Sequence, residues 1–328
     1  MTTQKISRRR FLGAAALAGA ALPGCLSSDN DTASIPVIDT HIHLYDPFRP
    51  EGRAGYPNPA IAVLYKTSKP DRYRPIAEPL GVVGAIEIEC SALLEDNQWV
   101  LDIAAKEDIM VGTVGHLTPG APDFRANLDR FHKNPLFRGI RYGLGRQAGA
   151  EFDRPEFVAD LKYLADADLV MDTANPSVAL LADVVRVSDH VPNLRVVVDH
   201  LPQMVPPTEA AARASYDASM KAFRDRPLIY VKVSEVLRKV GDDNHIPTDL
   251  AFYRPRLDEI VDVFGMDRVL YGSDWPNGDQ WLPVPDGFKI VQEYFMAKGR
   301  PAAEKYFWRN SVKCYKWVKR TAKQQQLV

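Results

Sequence analysis

The chain has 328 residues, 46% of them hydrophobic, with 41 Lys and Arg set against 42 Asp and Glu. That is enough apolar material for one large core, and the near-neutral balance argues against the basic surface that a nucleic-acid binder or a polybasic membrane patch needs. Cys25, Cys90 and Cys314 are too few for a disulfide framework and lack zinc-finger spacing.

The first residues read as an address. Ser7-Arg8-Arg9-Arg10-Phe11-Leu12 is a twin-arginine pattern, and residues 13–22 form an Ala-rich apolar stretch too short for a permanent membrane span. Leu22-Pro23-Gly24-Cys25 is similar to a bacterial lipobox in which Cys25 takes the lipid. Pro23 replaces the usual small residue, which leaves ordinary peptidase cleavage as the alternative. The expected organisation is a signal segment over 1–25, a polar tether over 26–34, a barrel over 35–318 and a polar tail over 319–328. Export by the twin-arginine route follows, to the periplasm or to a membrane anchor at Cys25. The leader holds Lys5, Arg8, Arg9 and Arg10 and no acid, so the body left after its removal is mildly acidic. No other apolar run reaches transmembrane length.

Eight short apolar or β-branched runs follow, at 37–43, 82–89, 110–116, 137–142, 169–173, 194–200, 228–234 and 268–274. Each precedes a stretch able to hold a helix. Such alternation calls for a parallel sheet covered by helices, and eight units favour a closed (β/α)8 barrel of the TIM type. Among the helices, 96–107 places Trp99, Val100, Ile103 and Ala104 on one stripe, and 156–167 does the same with Phe157, Leu161 and Leu164. A helix over 177–188 takes Asn175 or Ser177 as its cap, and one over 255–264 stops at Gly265. Residues 45–79, rich in Pro, Gly and Arg, read as a long lid-like loop after the first strand. Its Arg49, Arg53, Arg72 and Arg74 are expected to be solvated, with one able to reach the site. Asn310 is expected to tie the last helix to the barrel, and the tail over 319–326 to fray.

The chemistry-bearing residues close the apolar runs. His41 and His43 end the first run, and in a strand they share a face, with Ile42 on the other. Two imidazoles so placed can hold a metal ion or a reacting water. Asp274 ends the eighth run, where a carboxylate can act as general base. His200 ends the sixth as a second catalytic candidate, with Asp199 expected on the opposite face. Glu89, ending the second run, is a further metal candidate. For substrate, Arg141 after Gly139 can grip a carboxylate bidentately. His116 can hydrogen-bond, Tyr142 and Trp275 can form a wall, and Lys232 can meet the substrate or join a structural salt bridge.

Four segments carry a family resemblance: Asp39-Thr-His-Ile-His43, Val198-Asp-His-Leu-Pro202, Gly272-Ser-Asp-Trp-Pro276 and Trp308-Arg-Asn-Ser-Val-Lys-Cys-Tyr315. Together they resemble the amidohydrolase-related superfamily, in the branch of 2-pyrone-4,6-dicarboxylate lactonase and the L-fuconolactonase-like sugar-acid lactonases. The resemblance runs over 36–315. It implies a (β/α)8 barrel with His41, His43, His200 and Asp274 around the reaction centre. Asp274 would activate water for attack on a lactone carbonyl. The histidines, with or without one divalent ion such as zinc or manganese, would polarise that carbonyl. Binuclear relatives carry a carboxylated lysine on the fourth strand, but Phe137-Arg-Gly-Ile-Arg-Tyr142 has none, so a binuclear site is not expected. Some relatives work without metal, so metal-independent catalysis stays open. The implied partner is a small carboxylate- or hydroxyl-bearing molecule, and nucleic acid is not expected. A metal-dependent non-oxidative decarboxylase of an aromatic or unsaturated acid is the alternative. It calls for a further histidine that the fifth run lacks. A sugar-binding lipoprotein on a degenerate barrel is a third reading, and it leaves the four polar termini unexplained.

Overall fold

Short β-branched runs separated by helix-forming stretches can bury both strand faces in one way, by pairing in parallel and wrapping themselves in helices. In the computed structural model, which describes residues 34–50, 56–142 and 149–327, the chain takes that course. The leader, Cys25, Arg53 and all of the tether except Ser34 lie outside the described residues. The strands are β1 (Val37–Ile42), β2 (Val82–Ile88), β3 (Met110–Gly115), β4 (Phe137–Tyr142), β5 (Val170–Thr173), β6 (Arg195–Val198), β7 (Ile229–Lys232) and β8 (Val269–Leu270). They pair in parallel in sequence order from β1 to β8. The seam between β8 and β1 closes through an isolated parallel bridge, Ile42 to Trp275. Three backbone bonds reinforce it: Thr40 N–H to Tyr271 O at 3.1 Å, Asp274 N–H to His41 O at 2.8 Å and His43 N–H to Trp275 O at 2.7 Å. The barrel is thereby closed, and all eight expected runs supply its strands.

The enclosing helices are α1 (Pro70–Ala77), α2 (Asp96–Lys106), α3 (Phe124–His132), α4 (Pro155–Asp166), α5 (Val178–His190), α6 (Ala210–Arg224), α7 (Leu250–Phe264) and α8 (Val284–Ala297). Short helices α9 (Arg300–Glu304), α10 (Asn310–Tyr315) and α11 (Ala322–Gln325) follow. Ser177, not Asn175, caps α5, its hydroxyl accepting the Leu180 N–H at 3.1 Å. Helix α7 starts at Leu250, well before the expected position. Asp249 caps its first turn and it carries Pro255 inside, because burying Leu250 and Tyr253 outweighs the proline's preference for a helix start. Gly265, at φ 65°, closes α7 as expected, its N–H donating to Val261 O at 2.8 Å.

Two expectations need correction. The lid-like region is not loop throughout, since 70–77 form α1 with Pro70 in its first turn. The helix is held because Tyr73 is buried, packs 5.1 Å from the Trp275 ring and donates its hydroxyl to Asp39 Oδ2 at 2.7 Å. The tail over 319–326 is docked, not frayed. Thr321 and Gln324 form a capping box on α11, and Gln324 Nε2 donates to Val83 O at 2.7 Å and Asp108 O at 3.0 Å. Arg320 Nη1 donates to Glu107 O at 2.6 Å and Met110 O at 3.0 Å. A cation there takes the orphan carbonyls at the C-terminus of α2. The tail therefore seals the N-terminal end of the barrel, away from the site. The barrel's inner core joins Ile38, Ile86, Val111, Val170, Val197 and Leu270 from the strands to Trp308, Tyr315, Trp317 and Leu327 from the C-terminal segment. Asn310 ties α10 to β8 as expected, its amide donating to Met266 O at 2.9 Å and Val269 O at 2.8 Å. No helix among the described residues is long and apolar enough to cross a membrane.

Candidate active site

Strand β1 places its histidines through a change of phase. Ile38 faces the inner core and Ile42 the outer one, with the register slipping between Asp39 and Ile42. Such a slip re-aims side chains, and here it turns both His41 and His43 inward. Asp39 points outward and accepts the backbone N–H of Ser273 at 2.9 Å and of His41 at 3.1 Å, which locks β1 against the loop after β8. Gly272 permits the close approach, since a Cβ there would lie 2.8 Å from His41 Cβ.

Strand β6 departs from the expectation for Asp199. The strand ends at Val198, and Asp199 keeps the inward parity of Val197. His200 then sits in the left-handed region at φ 51° and ψ 33°, which swings it into the barrel as well. Asp274 (φ 57°) and Glu235 (φ 46°) adopt the same conformation after β8 and β7. Three non-glycine residues in this costly region meet at one place, which is how strained backbone marks a working site.

Asp274 is the focus. Its Oδ1 lies 3.3 Å from His41 Nε2, 3.0 Å from His43 Nε2 and 3.7 Å from His200 Nε2, and all four residues are buried. Burial raises the Asp274 carboxyl to about 7 and lowers the His43 imidazole to about 4. Burial likewise holds His41 and His200 well below the ordinary histidine range. His43 Nδ1 lies 2.6 Å from Ile88 O, so it must donate there, and Nε2 is left with a lone pair facing Asp274. A lone pair opposite a carboxylate oxygen calls for a proton or a cation between them.

The donor set fits one divalent ion. His43 meets the orientation requirement, with its remote nitrogen tied to a backbone carbonyl. His41 Nε2 is buried without a hydrogen bond. Ligand atoms of His41, His43 and Asp274 lie within 4.8 Å of one another, as do those of His200, Glu235 and Asp274. Glu235 was missed in the sequence because it stands just beyond the seventh run, in Val233-Ser-Glu-Val236. Burial raises its carboxyl well above the usual range. Glu89, the other carboxylate candidate, lines the cavity but belongs to none of these clusters.

Beneath the histidines lies a sealed charge network. Lys232, fully buried, lies 2.5 Å from Asp172 Oδ2, 3.1 Å from Asp199 Oδ1 and 3.2 Å from His41 Nδ1. Tyr315 donates its hydroxyl to Asp172 Oδ2 at 2.7 Å. An ammonium only donates, so His41 Nδ1 accepts from it and Nε2 carries the proton in this arrangement. His41 would join a metal site by directing an Nδ1 proton to Asp199 Oδ2, 3.6 Å away. Lys232 therefore belongs to a structural salt bridge and does not reach substrate.

Above the histidines a wide, open cavity is lined by His43, His116, Arg141, Tyr142, His200 and Asp274, among others. Arg141 Nε donates to Thr173 O at 3.0 Å and lies 3.4 Å from Asp199 Oδ2, which holds the guanidinium at the cavity floor. Burial opposes its charge, and the carboxylates of Asp199, Glu89 and Asp274 outweigh that effect. Asn97 clamps the His116 backbone at its N–H (2.8 Å) and at its carbonyl (3.0 Å), and burial lowers the imidazole's pKa. Tyr142 donates to Glu151 Oε1 at 2.9 Å. Trp275 is fully buried and absent from the cavity wall, so it packs as core and offers no surface to a substrate. Of the loop arginines, Arg49 pairs with Asp96, Arg72 lies 3.5 Å from Asp279 and Arg74 bridges Glu78 and Asp108.

The amidohydrolase family matches residues 38–317. An L-fucono-1,5-lactonase of Burkholderia ambifaria is 27% identical over 244 residues, covering 73% of this chain and 80% of its own. An amidohydrolase of Burkholderia multivorans, solved with bound zinc, superposes with a TM-score of 0.74 at 21% identity, covering 86% of this chain and 99% of its own. The 5-carboxyvanillate decarboxylase of Sphingomonas paucimobilis superposes with a TM-score of 0.59 at 12% identity, covering 87% and 100%. The two solved structures share the fold.

Proposed function

The chain belongs to the amidohydrolase family, and we propose that it hydrolyses a lactone, with Asp274 as general base at the C-terminal mouth of the barrel. The observation that carries this reading is the convergence of three imidazole nitrogens on one buried carboxylate oxygen beneath an open cavity. Likeness to the fuconolactonase names the ester class.

The steps follow from the residues. Asp274, ionised, takes a proton from water as the water oxygen bonds to the lactone carbonyl carbon. The carbonyl oxygen gains the electron pair and needs donors placed before the charge develops. Arg141 supplies a fixed positive charge at the floor. His200 supplies an N–H when the Ser234 hydroxyl, 2.8 Å from Nδ1, donates to that nitrogen and leaves the proton on Nε2. Collapse then breaks the ring carbon–oxygen bond, and Asp274 returns its proton to the departing alkoxide. The product is an open-chain hydroxy acid. A divalent ion bound by His43, His200, Asp274 and His41 would polarise the carbonyl and acidify the water.

The decarboxylase alternative is not favoured, since β5 presents Asp172 and Thr173 where that chemistry calls for another histidine. Arg141 and the polar wall suit a small carboxylate- or hydroxyl-bearing substrate. Export by the twin-arginine route, with lipid attachment at Cys25, is part of the proposal and rests on the leader motif alone.

The test is a pH-stat screen of aldonolactones and pyrone lactones with native and Asp274→Asn protein. Acid release by the native enzyme alone supports hydrolysis. Carbon dioxide release without lactone turnover reverses the assignment.

A further inference from the structure

Two buried groups compete for one ring nitrogen of His41. Its Nδ1 lies 3.2 Å from the Lys232 ammonium, which donates, and 3.6 Å from Asp199 Oδ2, which can only accept. Two carboxylates hold the ammonium, Asp172 Oδ2 at 2.5 Å and Asp199 Oδ1 at 3.1 Å, so it stays charged and stays in place. Asp199 Oδ2 is different. It is buried and accepts no hydrogen bond, although Arg141 Nε stands 3.4 Å away. At the far end of the ring, His41 Nε2 is buried and unbonded as well, facing Asp274 Oδ1 at 3.3 Å. Buried polar atoms left unmatched are costly, and here they lie at both ends of one imidazole. They mark a ring with a second arrangement available to it.

Each arrangement gives His41 a different task. With Lys232 donating to Nδ1, the ring proton sits on Nε2, and His41 presents an N–H toward Asp274. A ring in that state has no lone pair for a cation. Accepting from Lys232 and ligating through Nε2 together would strip both ring protons and leave an imidazolate. In the other arrangement the proton sits on Nδ1, Asp199 Oδ2 accepts it, and Nε2 turns a lone pair on the centre of the site. The change moves the ring proton from Nε2 to Nδ1, with none gained or lost overall. Lys232 opposes it, since a proton on Nδ1 would meet an ammonium proton across 3.2 Å.

We propose that His41 is a two-position switch between proton donor and cation ligand, and that Lys232 is the positioning residue that biases it toward the donor and so weakens divalent-cation binding. His43 has no such choice. Its Nδ1 bonds to Ile88 O, which leaves its Nε2 lone pair on Asp274 in either state. The two histidines of β1, alike in sequence, therefore differ in role. Neither state requires a particular substrate, so the inference stands or falls apart from the lactonase reading.

The experiment reads the ring directly. In protein carrying isotope-labelled histidine, the long-range proton–nitrogen NMR pattern separates the two tautomers, and the His41 signal is assigned by its loss in His41→Gln. Native protein is expected to show His41 protonated at Nε2, and saturation with zinc should convert it to the Nδ1 form. The double variant Lys232→Met/Asp172→Asn removes the donor and keeps the network's net charge, because one positive and one negative group go together. It is expected to show the Nδ1 form without zinc. Calorimetry should find it binding zinc about tenfold to a hundredfold more tightly than native protein, the scale of one hydrogen bond to a charged group. Asp172→Asn alone keeps the donor and should match native protein in tautomer, with zinc bound no more tightly. Equal tightening in Asp172→Asn and the double variant overturns the proposal. So does a double variant whose His41 stays protonated at Nε2 or whose zinc affinity stays native, and so does zinc binding by none of the proteins. Should the double variant not fold, native protein decides. Conversion of His41 by zinc supports the switch, whereas an Nδ1 proton before zinc, or an Nε2 proton after saturation, overturns it.

Discussion

Lys232→Met is the sharpest probe of how the site is supported. The native ammonium is fully buried and stands 2.5 Å from Asp172 and 3.1 Å from Asp199. Methionine fills similar volume but leaves two carboxylates facing each other in the barrel core. Removing one partner of a buried ion pair costs about 3–5 kcal/mol, most of it the penalty on the charge left behind. At about 2 °C per kcal/mol for a domain of this size, the midpoint should fall by roughly 6–10 °C. The pH dependence gives a second reading. Burial raises Asp172 to about 6 even with Lys232 present. A carboxyl raised in the folded state contributes stability that is full below its unfolded value near 3.8 and is lost as pH rises through about 6. Without the ammonium that loss deepens, so the deficit should be large at pH 8 and shrink toward pH 5. Thermal unfolding followed by circular dichroism at the two pH values measures both. Adding Asp172→Asn to Lys232→Met removes one of the stranded charges and should recover part of the loss. A midpoint within about 2 °C of native at pH 8, or a deficit that grows on acidification, would refute the account of this network.

Asp274→Asn should lower kcat about 10²–10⁴-fold with an unchanged circular dichroism spectrum; near-native turnover removes Asp274 as the base. Because the base must be ionised and burial sets its carboxyl at about 7, kcat/KM of metal-free enzyme should climb as pH rises through about 7 and then level off. A profile flat from pH 5 to 9 contradicts this. Zinc titration by calorimetry should saturate at no more than one ion per chain, because β4 offers Arg141 where a second ion needs an anionic bridge; two equivalents count against the site as described. Arg320→Ala leaves carbonyls of Glu107 and Met110 without their donor and should cost about 1–3 kcal/mol, with kcat/KM on lactone unchanged. A matching loss of activity would mean that the sealed end communicates with the mouth.

The eight strands were legible because each is a short apolar or β-branched run set between helix-forming stretches, and such runs buried on both faces have few other places to go. The helix boundaries were less so. Pro255 reads locally as a start, yet α7 begins at Leu250 because Tyr253 and Leu250 find buried positions in the assembled fold. Residues 319–326 read as a loose tail because their composition is polar, while Arg320 and Gln324 use that polarity on carbonyls supplied by β2, β3 and α2. Trp275 stands beside Asp274 in sequence yet packs away from the cavity wall, and Lys232 is sealed beneath His41. Glu235 carries no local signal, since nothing in a run of residues says that left-handed backbone will turn this acid toward His200 and Asp274.

By itself, then, the sequence determined the barrel and the side chains at its strand ends, since strand period and burial are properties of neighbouring residues. The aim of those side chains was decided in the tertiary structure. A register slip in β1 turns His41 and His43 inward, and left-handed backbone turns His200, Glu235 and Asp274 toward the same point. Both are conformations that an isolated segment would not hold. They persist because the closed barrel's contacts outweigh their local cost, and no window of sequence contains those contacts.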